Sequence, residues 1–83
     1  MKYVYLKSKS VDCASKVEVT ISQNGTDILT TVMDSIVYQA LDPVTLISRV
    51  LMIPANVIKY VDSLSLDSRC LFLTIRNRYQ IVQ

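Results

Sequence analysis

The stretch LISRVLMIPANVIKYVDSL, residues 46–64, decides how the middle of the chain folds. Pro54 divides it, because the residue before a proline is pushed out of the helical region. On the upstream side, Asp42 followed by Pro43 is a typical helix start, and the helix from there to residue 53 is apolar nearly all round. On the downstream side, the spacing predicts a further helix over residues 55–65. Its apolar stripe is Val57, Ile58, Val61 and Leu64, and its outer face is Asn56, Lys59, Tyr60 and Ser63.

A strong two-residue hairpin signal, Asn24-Gly25, lies upstream of these helices and allows the chain to turn into a third strand. The apolar residues that follow nevertheless fall into two i,i+4 rows side by side, which form one helical stripe. The sequence therefore favours a helix over residues 27–41, capped by Thr26 or Asp27. The members of the stripe are Ile28, Leu29, Val32, Met33, Ile36, Val37, Ala40 and Leu41.

The two ends of the chain alternate between apolar and polar residues, which indicates strands. Strands are predicted over residues 2–7 and 16–22, as a hairpin or as two edge strands. After a turn at Asp67-Ser68, residues 70–75 predict a buried strand, residues 76–78 a polar tip and residues 79–82 a short return strand. The whole chain, residues 1–83, is expected to be one α+β domain with the order β-β-α-α-α-β-β.

The composition excludes several classes of protein. The chain has 83 residues, of which 51% are hydrophobic and 19% charged, so it is not a disordered tail. A chain this short buries only about 60% of its unfolded surface, so some apolar surface is expected to remain exposed. A homodimer or a partner protein is the natural cover for that surface.

The absence of His removes His-based catalysis and most zinc sites, and two Cys cannot form a four-ligand cage. We expect no enzyme activity, no cofactor and no metal, since the adjacent pairs Ser8-Lys9 and Ser15-Lys16 rarely support nucleophilic chemistry. Residues 44–53, the most apolar stretch, are too short to span a membrane, which takes about 20 residues. The N-terminus lacks a signal-peptide core. We expect a cytoplasmic protein without membrane contact. Cys13 and Cys70 could form one disulfide, but reduced thiols are favoured inside the cell.

Residues 28–82 resemble the winged helix-turn-helix family of DNA-binding domains. The resemblance lies in the Asp42-Pro43 helix start, the run LISRVLMIPANVIKYVDSL at 46–64 and the segment CLFLTIRNRYQIV at 70–82. It implies a three-helix core with residues 55–65 as the recognition helix, residues 70–82 as the wing hairpin, and residues 1–22 as an additional N-terminal arm. No Gly occupies the tight turn between the two helices, where Leu51 or Met52 is expected instead.

The resemblance further implies a set of DNA contacts. Base edges are assigned to Asn56, Lys59 and Tyr60, and phosphates to Arg76, Arg78 and Arg49. Each residue also has a purely structural interpretation. Asn56 and Lys59 are equally expected on a solvated helix face, Tyr60 at the edge of the core, Arg76 and Arg78 at a solubilising turn, and Arg49 in a salt bridge to Asp42 or Asp62.

The distribution of charge along the chain agrees with such contacts, but the net positive charge is small. Residues 1–16 and 43–83 each carry a net charge of +3, whereas residues 17–42 carry −4. The total of +2 and the pI of about 8.6 fall below the usual footprint of a nucleic-acid binder, whose pI exceeds about 9. Lys2, Lys7 and Lys9 are expected mainly to protect an edge strand, and Tyr3 and Tyr5 to lie in the core or a dimer interface.

Two functional hypotheses follow. The first is a small sequence-specific transcriptional regulator that binds double-stranded DNA as a homodimer. The alternative is a protein-interaction module of a phage or mobile element that binds and inhibits a host protein, since a fold does not determine a function.

Overall fold

The computed structural model describes the backbone of residues 2–69 and 72–83, and the side chains of residues 2–66 and 73–83. The strands are β1 (Lys2–Asp12), β2 (Lys16–Gln23), β3 (Thr26–Asp34), β4 (Ile58–Arg69) and β5 (Phe72–Ile81). The helices are α1 (Ser35–Gln39) and α2 (Pro43–Leu51), followed by a single 3-10 turn over Ala55–Val57. In the described chain, no helix has the length and apolar character needed to cross a membrane.

The five strands form one sheet in the order β3-β2-β1-β5-β4, with all neighbours antiparallel. The predicted three-helix winged helix-turn-helix core is therefore wrong. The strands predicted over residues 2–7 and 16–22 are confirmed, but β1 lies at the centre of the sheet, between β2 and β5. The helical segments connect β3 at one edge of the sheet with β4 at the other.

The helix predicted over residues 27–41 is wrong for most of its length, because residues 26–34 form β3. Asn24 and Gly25 have φ angles of 53° and 77°, as a tight hairpin turn requires. The register between β2 and β3 shifts where Ile21 faces Leu29 and Ser22 faces Asp27, which makes Ile28 the extra residue of a bulge. Because of this bulge, the apolar residues Ile28 and Leu29 follow each other directly, and the apolar positions of the strand recur at the intervals typical of a helix.

Replacing Gly25 with Ala is expected to lower the free energy of unfolding by about 1 kcal/mol. A Cβ at this position meets no atom within 4 Å, so the cost arises from the positive φ alone. Gly25→Asn is the matched control, and it should cost less because Asn tolerates the left-handed conformation. Urea unfolding measures the free energy of unfolding of both variants. Equal losses in the two variants would contradict a left-handed conformation at position 25.

Helix α2 begins where the sequence predicts. Pro43 is its first residue, and Asp42 caps it by accepting hydrogen bonds from the Val44 N–H at 3.2 Å and the Thr45 hydroxyl at 2.7 Å. The helix ends at Leu51, before the predicted residue 53, because Met52 adopts the left-handed conformation with φ 58°. Ile47 is fully buried and packs this helix on the sheet.

The cap makes stability depend on pH. The Thr45 hydroxyl, with the backbone N–H groups of Val44 and Thr45, lowers the pKa of Asp42 in the folded chain. A lowered pKa stabilises the fold above the unfolded value of about 3.9, and this stabilisation is lost as the pH falls through the folded pKa. Asp42→Ala should therefore unfold more easily at pH 7 and lose less stability than the unaltered chain between pH 5 and 2. Parallel pH profiles in urea titrations would contradict this role.

The helix predicted over residues 55–65 is also wrong, since the chain forms a single 3-10 turn and then enters β4. The register of β4 on β5 shifts between Tyr60 and Asp62 and again between Ser65 and Asp67. Each shift adds a residue and breaks the alternation of period two, so the apolar positions fall at helical intervals. The predicted turn at residues 67–68 lies within β4.

The predicted wing hairpin is wrong as well. Residues 72–81 form one continuous strand, so the proposed tip at residues 76–78 lies in the middle of β5. Cys70 and Leu71, where the wing was predicted to begin, lie outside the described residues.

The sheet buries one face under α2, and we call the other the open face. Alternation along the strands places the core side chains on the covered face, where the Tyr38 hydroxyl of α1 also donates to Ser8 Oγ at 2.9 Å. The core consists of Val4, Leu6, Val17, Val19, Ile21, Ile47, Ile58, Tyr79 and Ile81. The odd-numbered residues of β1, from Tyr3 to Lys9, consequently lie on the open face.

Candidate functional site

Strand β4 forms one edge of the described sheet and is 12 residues long. An edge strand has unpaired backbone N–H and C=O groups along its outer side, which can pair with another strand. Four large apolar side chains on β4 are exposed, and together they define what we call the β4 edge: Tyr60, Val61, Leu64 and Leu66. The β4 edge thus combines backbone hydrogen-bonding capacity with apolar side chains.

Strand β4 has some of the features that protect an edge strand, namely two register shifts and charged side chains, but it lacks others. No proline interrupts residues 58–69, and Lys59 is the only lysine among them. The two register shifts leave a regular stretch over residues 62–65 between the extra residues. Leu64 lies within this stretch and is 56% exposed. The centre of the β4 edge therefore keeps a geometry that an added strand can match.

The opposite edge differs in length and charge. Strand β3 has nine residues, and its exposed large apolar side chains are Ile28 and Val32. Carboxylates lie near both of its ends, Asp27 and Asp34, and Lys16 Nζ contacts Asp34 Oδ1 at 3.3 Å. This edge is shorter, less apolar and more acidic than the β4 edge.

A concave region, which we call the trough, lies on the open face. It encloses about 390 Å³ and is lined by residues of all five strands. Asp27 and Thr30 of β3 and Leu66 of β4 contribute to the same concavity, so the sheet curves around it. The remaining lining residues are Tyr5, Lys7, Lys9, Glu18, Thr20, Ser22 and Arg76.

Two cations face each other in the trough. Lys7 on β1 is the register partner of Arg76 on β5. Like charges directly opposite each other destabilise a sheet. The Arg76 guanidinium lies 4.1 Å from the centre of the Tyr5 ring, and this cation–π contact offsets part of that repulsion. Within the described residues, no side chain forms an ion pair with either Lys7 or Arg76.

The neighbouring cations are neutralised. Lys9 Nζ lies 3.4 Å from Glu18 Oε1, and Arg78 Nη2 lies 2.6 Å from Asp62 Oδ2. The Asp62 carboxylate raises the pKa of Arg78 above its usual range, so Arg78 remains charged. The Arg78 guanidinium also lies 5.5 Å from the centre of the Tyr3 ring. Among the cations that line the trough, Lys7 and Arg76 are therefore the two without an ion pair within the described residues.

The residues assigned to DNA contacts do not form one surface. Arg76 and Arg78 lie on the open face of β5, where the register sets them opposite Lys7 and Tyr5. Tyr60 instead contacts the Tyr79 ring on the covered face, at a centroid distance of 5.7 Å. The other three lie on separate elements: Arg49 in the last turn of α2, Asn56 in the 3-10 turn and Lys59 on β4.

Sequence reasoning missed the trough. Its one available signal was the alternation in β1, which places Tyr5 and Lys7 on the same face. The hydroxyls of Thr20, Ser22 and Thr30 join them only through the pairing of β2 with β1 and β3.

Other chemistry is limited in the described part of the chain. No group of three or more acidic or Cys side chains there is placed to hold a metal ion. Burial raises the pKa of Tyr79, with smaller contributions from Tyr38, Tyr60 and Asp42, so its hydroxyl stays neutral at physiological pH. Cys13 is disulfide-bonded, so the expected reduced thiol at this position is wrong. Cys70 lies outside the described residues.

Comparison with known proteins found no matching family model, no matching curated protein and no matching solved structure.

Proposed function

We propose that this chain is a protein-interaction module that binds an extended segment of a partner protein along the β4 edge. The observation that carries the proposal is the 12-residue edge strand with four exposed large apolar side chains. A partner segment would add a sixth strand to the sheet. Backbone hydrogen bonds would supply affinity, and the side chains of the β4 edge would supply specificity.

The energetics favour such a partner. Complete burial of a fully exposed Leu or Val side chain contributes about 1.5–3 kcal/mol, and the half-exposed side chains of the β4 edge would each gain a part of this. Several of these side chains lie on one strand, so together they can offset the entropic cost of association. The small size of the chain supports the same proposal, because its core consists mainly of one sheet face under one helix, and apolar residues remain outside it.

Double-stranded DNA binding has less support. Residues 58–65 lie in a strand, so the mechanism expected from the sequence has no recognition helix. The six assigned residues are dispersed over both faces of the sheet, α2 and the 3-10 turn, and the net charge is only +2.

A site-specific photo-crosslinker tests the proposal. p-Benzoylphenylalanine is placed at Leu64 in one variant and at Val32 in the other, and each is produced in the organism from which the chain comes. Leu64 and Val32 are matched, because both are about half exposed, at 56% and 49%, and lie on opposite edge strands. We expect a defined protein adduct from position 64 and little from position 32.

Mass spectrometry identifies the crosslinked protein and the crosslinked segment. The purified partner must then bind the unaltered chain in calorimetry. Equal adducts from both positions, or a partner that fails to bind when purified, would contradict docking at the β4 edge.

A further inference from the structure

We propose that the trough is a ligand site for a small hydroxylated compound that carries one anionic group, such as a sugar acid or a sugar phosphate. The site lies on the open face and shares only Leu66 with the β4 edge, and the groups that would recognise the ligand lie on the other strands, so it does not rest on the proposed protein partner.

The anionic group is recognised by Lys7 and Arg76. They face each other across β1 and β5, and within the described residues neither has a carboxylate partner. An anion bound between them would relieve the repulsion of two like charges. The contact with Tyr5 holds the Arg76 guanidinium in place, so less conformational freedom is lost when the anion binds.

The rest of the ligand is recognised by neutral polar groups. The hydroxyls of Thr20, Ser22 and Thr30 line the same trough and can both donate and accept hydrogen bonds. A volume of about 390 Å³ lies within the range of small-molecule sites, roughly 300–1,000 Å³. These features suit a compact body with several hydroxyl groups.

The surrounding carboxylates limit the ligand to a small anion. Glu18 and Asp27 line the trough, and Asp62 lies beside Arg76 and Arg78 in an adjoining depression of about 290 Å³. A nucleic-acid strand crossing this face would bring further phosphates next to these carboxylates, where they repel each other. A single anionic group between Lys7 and Arg76 would meet less of this repulsion.

Three probes with related bodies test the proposal: glucose, gluconate and glucose 6-phosphate. Binding is followed by amide chemical shifts in NMR titrations of the full chain. We expect gluconate or glucose 6-phosphate, or both, to shift amides of β1 and β5 around Lys7 and Arg76. Glucose should bind at least about tenfold more weakly than the preferred anion. The stronger of the two anions identifies carboxylate or phosphate as the preferred group.

Variants locate the site. Arg76→Gln and Lys7→Gln should each weaken binding of the preferred anion about tenfold or more. Lys2→Gln is the matched control, because Lys2 is exposed on the same strand but on the opposite face. It should bind like the unaltered chain. Two independent variants keep the test valid if one of them fails to fold.

Several results would overturn the proposal. The first two are that glucose binds as strongly as the anions, or that no probe binds. The third is that Lys2→Gln weakens binding as much as Arg76→Gln. The fourth is that a ten-nucleotide single strand binds more tightly than the anion and displaces it from the trough.

Discussion

Replacing Leu6 with Ala is expected to lower the free energy of unfolding by about 2–5 kcal/mol. Leu6 is fully buried in the central strand β1, on the face that α2 covers. Its register partners are Ile21 on β2 and Asn77 on β5, so the cavity would open between three strands. Urea unfolding followed by circular dichroism measures the loss.

Leu64→Ala is the matched control, since it removes the same atoms from an exposed position. It should change the free energy of unfolding by less than about 0.5 kcal/mol. The comparison also discriminates between folds, because a helix over residues 55–65 would bury Leu64 in its apolar stripe. Losses of several kcal/mol in both variants would contradict an edge position for Leu64.

The same Leu64→Ala variant is expected to weaken binding of the crosslinked partner about tenfold or more, although the folded chain remains intact. The physical reason is that Leu64 lies in the regular stretch of β4 between the two register shifts, where an added strand would cover it. Calorimetry with the purified partner measures the dissociation constant.

Val32→Ala provides the control at the opposite edge. Val32 is 49% exposed on β3, and its substitution should leave the dissociation constant within about twofold. If Val32→Ala weakened binding as much as Leu64→Ala, the partner would contact both edges or neither one specifically, and docking by strand addition to β4 would be wrong.

Regular local patterns allowed part of this fold to be predicted from the sequence. Residues 16–22 alternate strictly, and the register of β2 on β1 is regular from Val17 to Gln23, because the extra residue of the one shift, Val11, lies on β1. Asp42 and Pro43 mark a helix start by their own chemistry, and the structure confirms both the cap and the first helical residue.

The two wrong helix predictions, over residues 27–41 and 55–65, have one physical cause. Bulges in β3 and β4 insert extra residues, so the apolar positions of two strands recur at helical intervals. A bulge is a property of the pairing with a neighbouring strand, and nothing local in the sequence reports it. The Asn24-Gly25 turn was the one local signal that favoured β3. The structure follows this hairpin signal and not the helical spacing of the apolar residues.

The candidate surfaces also depend on strand pairing that no local sequence pattern reports. The β4 edge exists only because β5 pairs with β1, and that pairing joins the two ends of the chain. Arg76 was expected at a turn tip, yet the continuous strand β5 brings it opposite Lys7. Exposed apolar surface was predicted from chain length, but its location on β4 was not.

Residue-resolved amide hydrogen exchange of the chain, alone and with its crosslinked partner, tests the central claim most directly. Outward-facing amides of β4 should exchange rapidly in the free chain and become strongly protected in the complex, while those of β3 remain unchanged. Exchange in β4 that is the same in both states, or protection confined to β3 or α2, would contradict strand addition at the β4 edge.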